Sequence, residues 1–422
     1  MFYYLKYHTY VNMQKNLFKI IDNVNLHYKV KLLMKKECDS YYYRDEMALL
    51  NKWTEGFNDR DKKMIRQFQE TFHSVFWELA LYQLLCTSGF KLDQTHQVPD
   101  FIVTDPQVFY VEAVVSNIGQ NGTPECNRTE NDQKKMLWPI ESIAESNKII
   151  DEAIIRASNA ISSKSKKYDD YLKKSWVDSN SPYVIALSQC DQINYGHEYI
   201  YPMIALLYGL YYDPIQCTYC EKNLIYKNNN IESKIDLNIF SQEKYKNVSA
   251  IIYSCTNTIG KLSSLVCSKK ASTQCCFEIF KDPNIKEQPY SYRMVSPNEP
   301  SSIEDGFFVF HNPNALNPLE KNIFNKLPQI TYENNELIIK TNTPMLYTRF
   351  VANSVTSDAL NHDIKEQIKI FNSRTGYAKY NSTLYNYDKV IDIFNSLNNN
   401  PGIPMTPEIL RLVKKYLENL RV

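Results

Sequence analysis

Val98-Pro99-Asp100-Phe101-Ile102-Val103, Thr104-Asp105-Pro106-Gln107 and Val108-Phe109-Tyr110-Val111-Glu112-Ala113-Val114-Val115 follow one another without interruption, and the fold reads outward from them. Two short runs of β-branched and aromatic residues divided by turn-forming residues predict a hairpin. Asp100 stands at the start of its first strand. Glu112 stands in the middle of its second, with apolar residues on both sides. A carboxylate buried in an apolar strand is costly unless a cation or hydrogen bonds compensate it. Glu112 therefore requires a partner, which is an ion pair or strand-end hydrogen bond on one reading and a metal ion on another.

Toward the N-terminus, apolar residues recur at spacings of three and four from Asp59 onward: Ile65, Phe68, Phe72, Val75, Phe76, Leu79, Tyr82 and Leu85, until Ser88-Gly89. This pattern predicts one helix. Glu78 interrupts its apolar stretch as Glu112 interrupts the strand. Phe90-Lys91-Leu92 adds a short strand before the hairpin. Toward the C-terminus, residues 116–138 hold most of a long polar loop, a class that is usually functional or mobile in a compact domain. A long helix is expected over about 139–174. Pro182–Leu187 then reads as a buried strand beside the hairpin. Further on, the expectations are a helix around 200–212, a polar insertion near 221–247, strands at Val248–Cys255 and Gly306–Phe310 with a polar stretch between them, and a final amphipathic helix at Pro407–Leu420. The fold class is α/β, a central mixed sheet flanked by helices. A helical N-terminal extension (1–58) and a helical C-terminal extension (351–422) bracket the main domain (59–350).

Composition narrows the function classes. Hydrophobic residues at 43% and charged residues at 23% belong to a folding globular chain rather than a disordered one. The 32 tyrosines read as compositional drift rather than a dedicated stacking surface. A net charge of +1 gives no global attraction to polyanions, so any nucleic-acid contact must be a local basic patch. The N-terminus lacks the apolar core of a secretory signal, and the longest apolar run, Met203–Tyr212, is too short to span a bilayer. A cytoplasmic protein without a membrane partner is the expectation. There the 10 cysteines are expected to be mostly free buried thiols. Cys217 and Cys220 form a CxxC, and Cys267, Cys275 and Cys276 lie further on. With no repeated CxxC and no paired histidine in that half, zinc is not expected.

A helix bearing Glu78, a strand opening with Pro99-Asp100, a turn, and a strand bearing Glu112 resemble the PD-(D/E)XK superfamily of metal-dependent nucleases. More of the chain agrees: Phe68 to Leu79, Val111-Glu112-Ala113-Val114, Arg156 to Ala160 with Ser163-Lys164, and Phe310-His311-Asn312-Pro313-Asn314-Ala315. Over roughly residues 60–320 the series resembles an uncharacterised bacterial family within that superfamily. The resemblance implies a restriction-endonuclease-like core. It also implies Mg²⁺ (Mn²⁺ as substitute) held by Asp100, Glu112 and the Ala113 carbonyl, with Glu78 on a second ion or a metal-bound water. The activity it implies is phosphodiester hydrolysis of nucleic acid, DNA rather than RNA, in defence or DNA processing. A homodimer or a partner protein of a multi-component system would suit such an enzyme.

One position departs from the superfamily pattern. Val114 stands where a lysine two residues after the second acid would orient water or steady charge. In some branches that lysine comes from a neighbouring helix. Here Ala153, Ala157, Ala160, Ile161, Lys164 and Tyr168 share a three-four stripe, so Lys164 faces inward and is the replacement. Lys148, Lys134 and Lys135 compete for the role. Arg156 and Lys167 are candidate substrate contacts with Lys148, although charged helical runs such as Lys164 to Lys174 are usually solvated faces. His311 reads as part of a turn leaving a strand. The alternative function is a catalytically inactive nuclease-like protein that binds nucleic acid or a partner protein.

Overall fold

The structure, a computed structural model, describes residues 14–374 apart from 38–39, 120–121, 130, 133–142, 195, 214–217, 228–229, 273, 286–287 and 354–356. Lys134, Lys135, Cys217 and the helix expected at Pro407–Leu420 lie outside the described residues.

The helices are α1 (Tyr28–Leu33), α2 (Arg44–Trp53), α3 (Met64–Thr71), α4 (His73–Thr87), α5 (Ile143–Tyr171), α6 (Tyr201–Tyr208), α7 (Ile259–Cys267) and α8 (Ser357–Arg374). The strands of the two larger sheets are β1 (Lys91–Asp93), β2 (Phe101–Asp105), β3 (Phe109–Val115), β4 (Tyr183–Ser188), β5 (Ala250–Ser254), β6 (Gln274–Lys281), β7 (Tyr290–Met294), β8 (Phe308–His311), β9 (Gln329–Glu333), β10 (Glu336–Lys340) and β11 (Met345–Asn353). A mixed eight-stranded sheet runs β10-β9-β8-β5-β4-β3-β2-β1, and a three-stranded sheet runs β7-β6-β11.

The chain is thus α/β, as expected, and the hairpin forms: β2 and β3 are antiparallel, with Phe101 opposite Val111. β4 joins parallel to β3, placing Glu112 opposite Ile185, and β5 joins parallel to β4. A parallel pair needs a crossover, which α5 supplies between β3 and β4. Strand alternation separates two cores. Tyr110, Ile185, Leu187, Ile251 and Tyr253 pack with Ile150, Ile154, Ala157 and Ile161 of α5. Val111, Ala113, Val184, Ala186 and Ile252 pack with Phe76, Trp77, Leu79 and Ala80 of α4. The sheet is covered on both faces, which is why its central strands read as continuous apolar runs.

Four expectations are corrected. The single helix over residues 59–87 is two, because Phe72 takes φ 25° and ψ −63° between α3 and α4. Its buried ring stacks on His27 and Phe76, so tertiary packing overrides a local pattern that carries no helix breaker. The helix around 200–212 ends at Gly209, whose φ of 75° turns the chain into a strand at Leu210–Asp213. The polar stretch between β5 and β8 contains α7, β6 and β7, whose buried faces read as polar because Ser263, Ser264, Gln274 and Glu278 lie on them. The boundary at 350/351 falls inside β11. No helix among the described residues is long and apolar enough to cross a membrane.

Candidate active site

The hairpin register sets the site. With Phe101 opposite Val111, Asp100 lies beside the second half of β3, and its Oδ2 accepts the Ala113 backbone N–H at 2.7 Å. Glu112, fully buried, points toward α5. Its Oε1 accepts from Lys164 Nζ at 2.6 Å and Lys167 Nζ at 2.9 Å, and its Oε2 accepts from the Tyr171 hydroxyl at 2.7 Å. Lys164, Lys167 and Tyr171 occupy one face of α5 at three- and four-residue spacing, so a single helix delivers all three groups to one carboxylate. Lys164 therefore faces the sheet, as its place in the apolar stripe predicts. Arg60 donates from Nη2 to the Asp100 carbonyl at 3.2 Å.

The three acids share one electrostatic field. Burial, followed by the charge of Asp100, pushes Glu78 up to about 8, with Glu112 adding to the shift and Arg60 and Lys164 opposing it. Burial and then Glu112 raise Asp100 to about 6, against the Ala113 amide and the two lysines. Burial would raise Glu112 as well, but Lys164, Lys167 and Tyr171 outweigh it and hold its carboxyl below the ordinary value. The site therefore contains one firmly ionised carboxylate and two that resist ionisation. Glu78 and Asp100 thus repel one another beside the ionised Glu112. Among the described residues, only His27, His73 and Asp191 bring three His, Cys, Asp or Glu ligand atoms within 4.8 Å of one another. Glu78, Asp100 and Glu112 do not meet that closeness, although their charges act on one another, and Glu112 is drawn to the lysines.

The remaining sequence candidates go elsewhere. Ala113 is in place, and the contact it makes to Asp100 is through its amide. Arg156 is corrected: it is 6% exposed, its Nη2 lies 3.6 Å from Glu198 Oε1, and its Nη1 is 3.5 Å from Ser116 Oγ. It sits roughly 12 Å from Lys164 along the helix axis at 1.5 Å per residue. Lys148 is exposed and roughly 24 Å back along the same axis, away from the acids. His311 is buried with Nε2 on Gln329 Oε1 at 2.5 Å, while Asn312 Nδ2 donates to the Tyr245 and Val248 carbonyls, which makes this segment a structural turn. Lys173 pairs with Asp170 on the solvated face. Cys220 donates to the Tyr211 carbonyl, and Cys267 and Cys276 face each other at 3.7 Å.

Sequence reasoning missed three parts of the site. Arg60 carried no spacing signal, and Tyr171, three residues beyond Tyr168 on the apolar stripe, was not among the candidates. The third is a stacked pair, His96 over Trp176, with ring centroids 4.3 Å apart and planes within 4°. Trp176 is partly exposed, and its indole donates to the Val98 carbonyl at 2.9 Å, which places this platform two residues from Asp100. Compared with known proteins, the chain matches no family model, no curated protein and no solved structure.

Proposed function

We propose that this protein is a metal-dependent nuclease, hydrolysing phosphodiester bonds of nucleic acid, DNA in the first instance, on a restriction-endonuclease-like core. The element order α4, β1, β2, β3, α5, β4 supports this reading, with acids on α4, immediately before β2 and on β3. The observation that carries it is the Lys164 ammonium 2.6 Å from Glu112. It arrives from α5 to serve the position that Val114 leaves without a lysine. Asp100, Glu112, the Ala113 carbonyl and Glu78 are the groups that would hold Mg²⁺, which when bound neutralises phosphate charge and lowers the pKa of water. Lys164 and Lys167 place positive charge where negative charge develops on the phosphate, and Arg60 adds a further cation beside Asp100. The partly exposed His96–Trp176 pair offers a face on which a base can stack.

The test is cleavage of plasmid, single-stranded DNA and RNA by the purified protein with Mg²⁺ or Mn²⁺. Cutting that EDTA stops, and that Asp100→Asn and Glu112→Gln reduce by at least about 100-fold, is the expected result. One observation favours a second reading, a nuclease-like protein that binds nucleic acid without cutting: both oxygens of Glu112 already hold Lys164, Lys167 and Tyr171. Intact substrate under every metal, with retained binding, would establish that reading instead.

A further inference from the structure

Away from the acidic site, three segments far apart in sequence bring a second set of side chains together. His27 caps α1, His73 opens α4, and Asp191 follows the end of β4. One ligand atom of each lies within 4.8 Å of the others. Their other contacts decide which atoms remain for a ligand. His27 Nδ1 accepts the Lys29 backbone N–H at 3.2 Å, which leaves Nε2. His73 Nε2 is 2.7 Å from Glu125 Oε1, which leaves Nδ1, and that atom is 3.5 Å from Cys190 Sγ. Glu125 is itself buried and paired with Lys29 at 3.0 Å. A carboxylate on the far nitrogen of an imidazole is the usual outer partner of a metal-bound histidine, fixing its tautomer and orientation.

We propose that His27 Nε2, His73 Nδ1 and Asp191 form a site for one borderline transition-metal ion, Zn²⁺ foremost, with Glu125 positioning His73 and the fourth position open to water. Two imidazoles and a carboxylate are a zinc-type donor set and a poor one for Mg²⁺ or Ca²⁺, which take oxygen. Bonds of about 2.0–2.3 Å in a tetrahedron place ligand atoms roughly 3.3–3.7 Å apart, so side-chain adjustments of about an ångström close the site. His27 and Asp191 are half-buried rather than sealed, and Lys29 and Glu125, their neighbours in the pairing network, line a cavity of about 220 Å³ with Arg128, Gly260 and Arg349 that the three ligands themselves do not line. The ion would clasp the segment before α1 to α4 and to the loop after β4. It would also give a purpose to Glu125, which lies in the polar loop that the sequence singles out. This site does not depend on the nuclease reading.

The test uses the full chain stripped with EDTA and titrated with Zn²⁺ and with Co²⁺, bound metal being counted by elemental analysis. One tight equivalent is expected, and the Co²⁺ form should absorb in the visible as a tetrahedral ion. Glu125→Gln should weaken binding by about 10–100-fold. Asp191→Asn with His27→Gln should abolish stoichiometric binding, while Asp100→Asn leaves it unchanged, which separates this site from the acidic one. Without metal, His73 holds a proton between Glu125 and Cys190: burial opposes the charge, but these two partners raise its pKa to about 10. Should that imidazolium be the working state, the wild-type protein takes up no equivalent and shows no tetrahedral Co²⁺ spectrum, and the proposal falls. It falls equally if one equivalent binds with unchanged affinity in the folded double variant.

Discussion

Glu112 receives two ammonium groups and a phenol, and the three contacts differ in kind. Lys164 is mostly shielded, whereas the Lys167 side chain is 44% exposed and its charge is screened by water. Lys164→Met should therefore lower cleavage by roughly 100-fold with the fold retained, and Lys167→Met by roughly tenfold or less, measured as single-turnover rates. Tyr171→Phe leaves a buried carboxylate oxygen short of its partner and should cost about 1–3 kcal/mol in urea denaturation. Trp176→Ala should weaken binding of single-stranded nucleic acid by about 1–3 kcal/mol while leaving metal dependence unchanged. An effect on neither affinity nor rate would remove the stacking platform from the site. Lys164 was legible because its position in an apolar stripe is a local, periodic property. Trp176 was not, because its meeting with His96 joins a loop after α5 to a loop before β2.

Among the elements, the three-stranded sheet carries the clearest electrostatic dependence. Glu278 on β6 is fully buried; its Oε1 accepts from Arg349 Nε at 2.8 Å and Ser301 Oγ at 2.7 Å, and its Oε2 accepts from Arg293 Nη2 at 2.6 Å. Burial alone would raise its pKa, but Arg349 and Arg293 reverse that and hold it below the ordinary value. A carboxyl with a lowered folded-state pKa contributes stability above its unfolded value, about 4.3, and loses that contribution as pH falls through the folded value. Arg349→Met removes one of the two guanidinium partners of a fully buried carboxylate, leaving Arg293 and Ser301, and should cost about 1–3 kcal/mol at pH 7. The gap from wild type should narrow as pH falls toward 4, because a buried carboxylate with fewer cationic partners takes up a proton at higher pH; urea midpoints at pH 7 and pH 4 check this. An equal gap at both would mean that Arg349 acts through packing alone. The break at Phe72 belongs to this scale too, since the ring that ends α3 also sets His73 at the start of α4.

At the scale of the whole molecule, α8 belongs to the body of the protein: Ile364 and Ile368 are buried in the core, and Asn372 exchanges hydrogen bonds with the Tyr290 backbone. Truncation after Asn353 should expose that surface and lower the thermal midpoint, by up to about 2–4 °C per kcal/mol lost; an unchanged midpoint would make α8 an appendage. The sequence by itself determined the α/β class, the hairpin that carries Asp100 and Glu112, the crossover to β4 and the inward face of Lys164. All of these follow from periods of two and three-to-four residues, which are set within one element. Only the tertiary structure decided that Arg156 turns to Glu198, that Lys167 and Tyr171 join Lys164 on one carboxylate, and that His27, His73 and Asp191 face one another. Such meetings depend on how elements far apart in the chain pack together, and no local spacing records the distance between them.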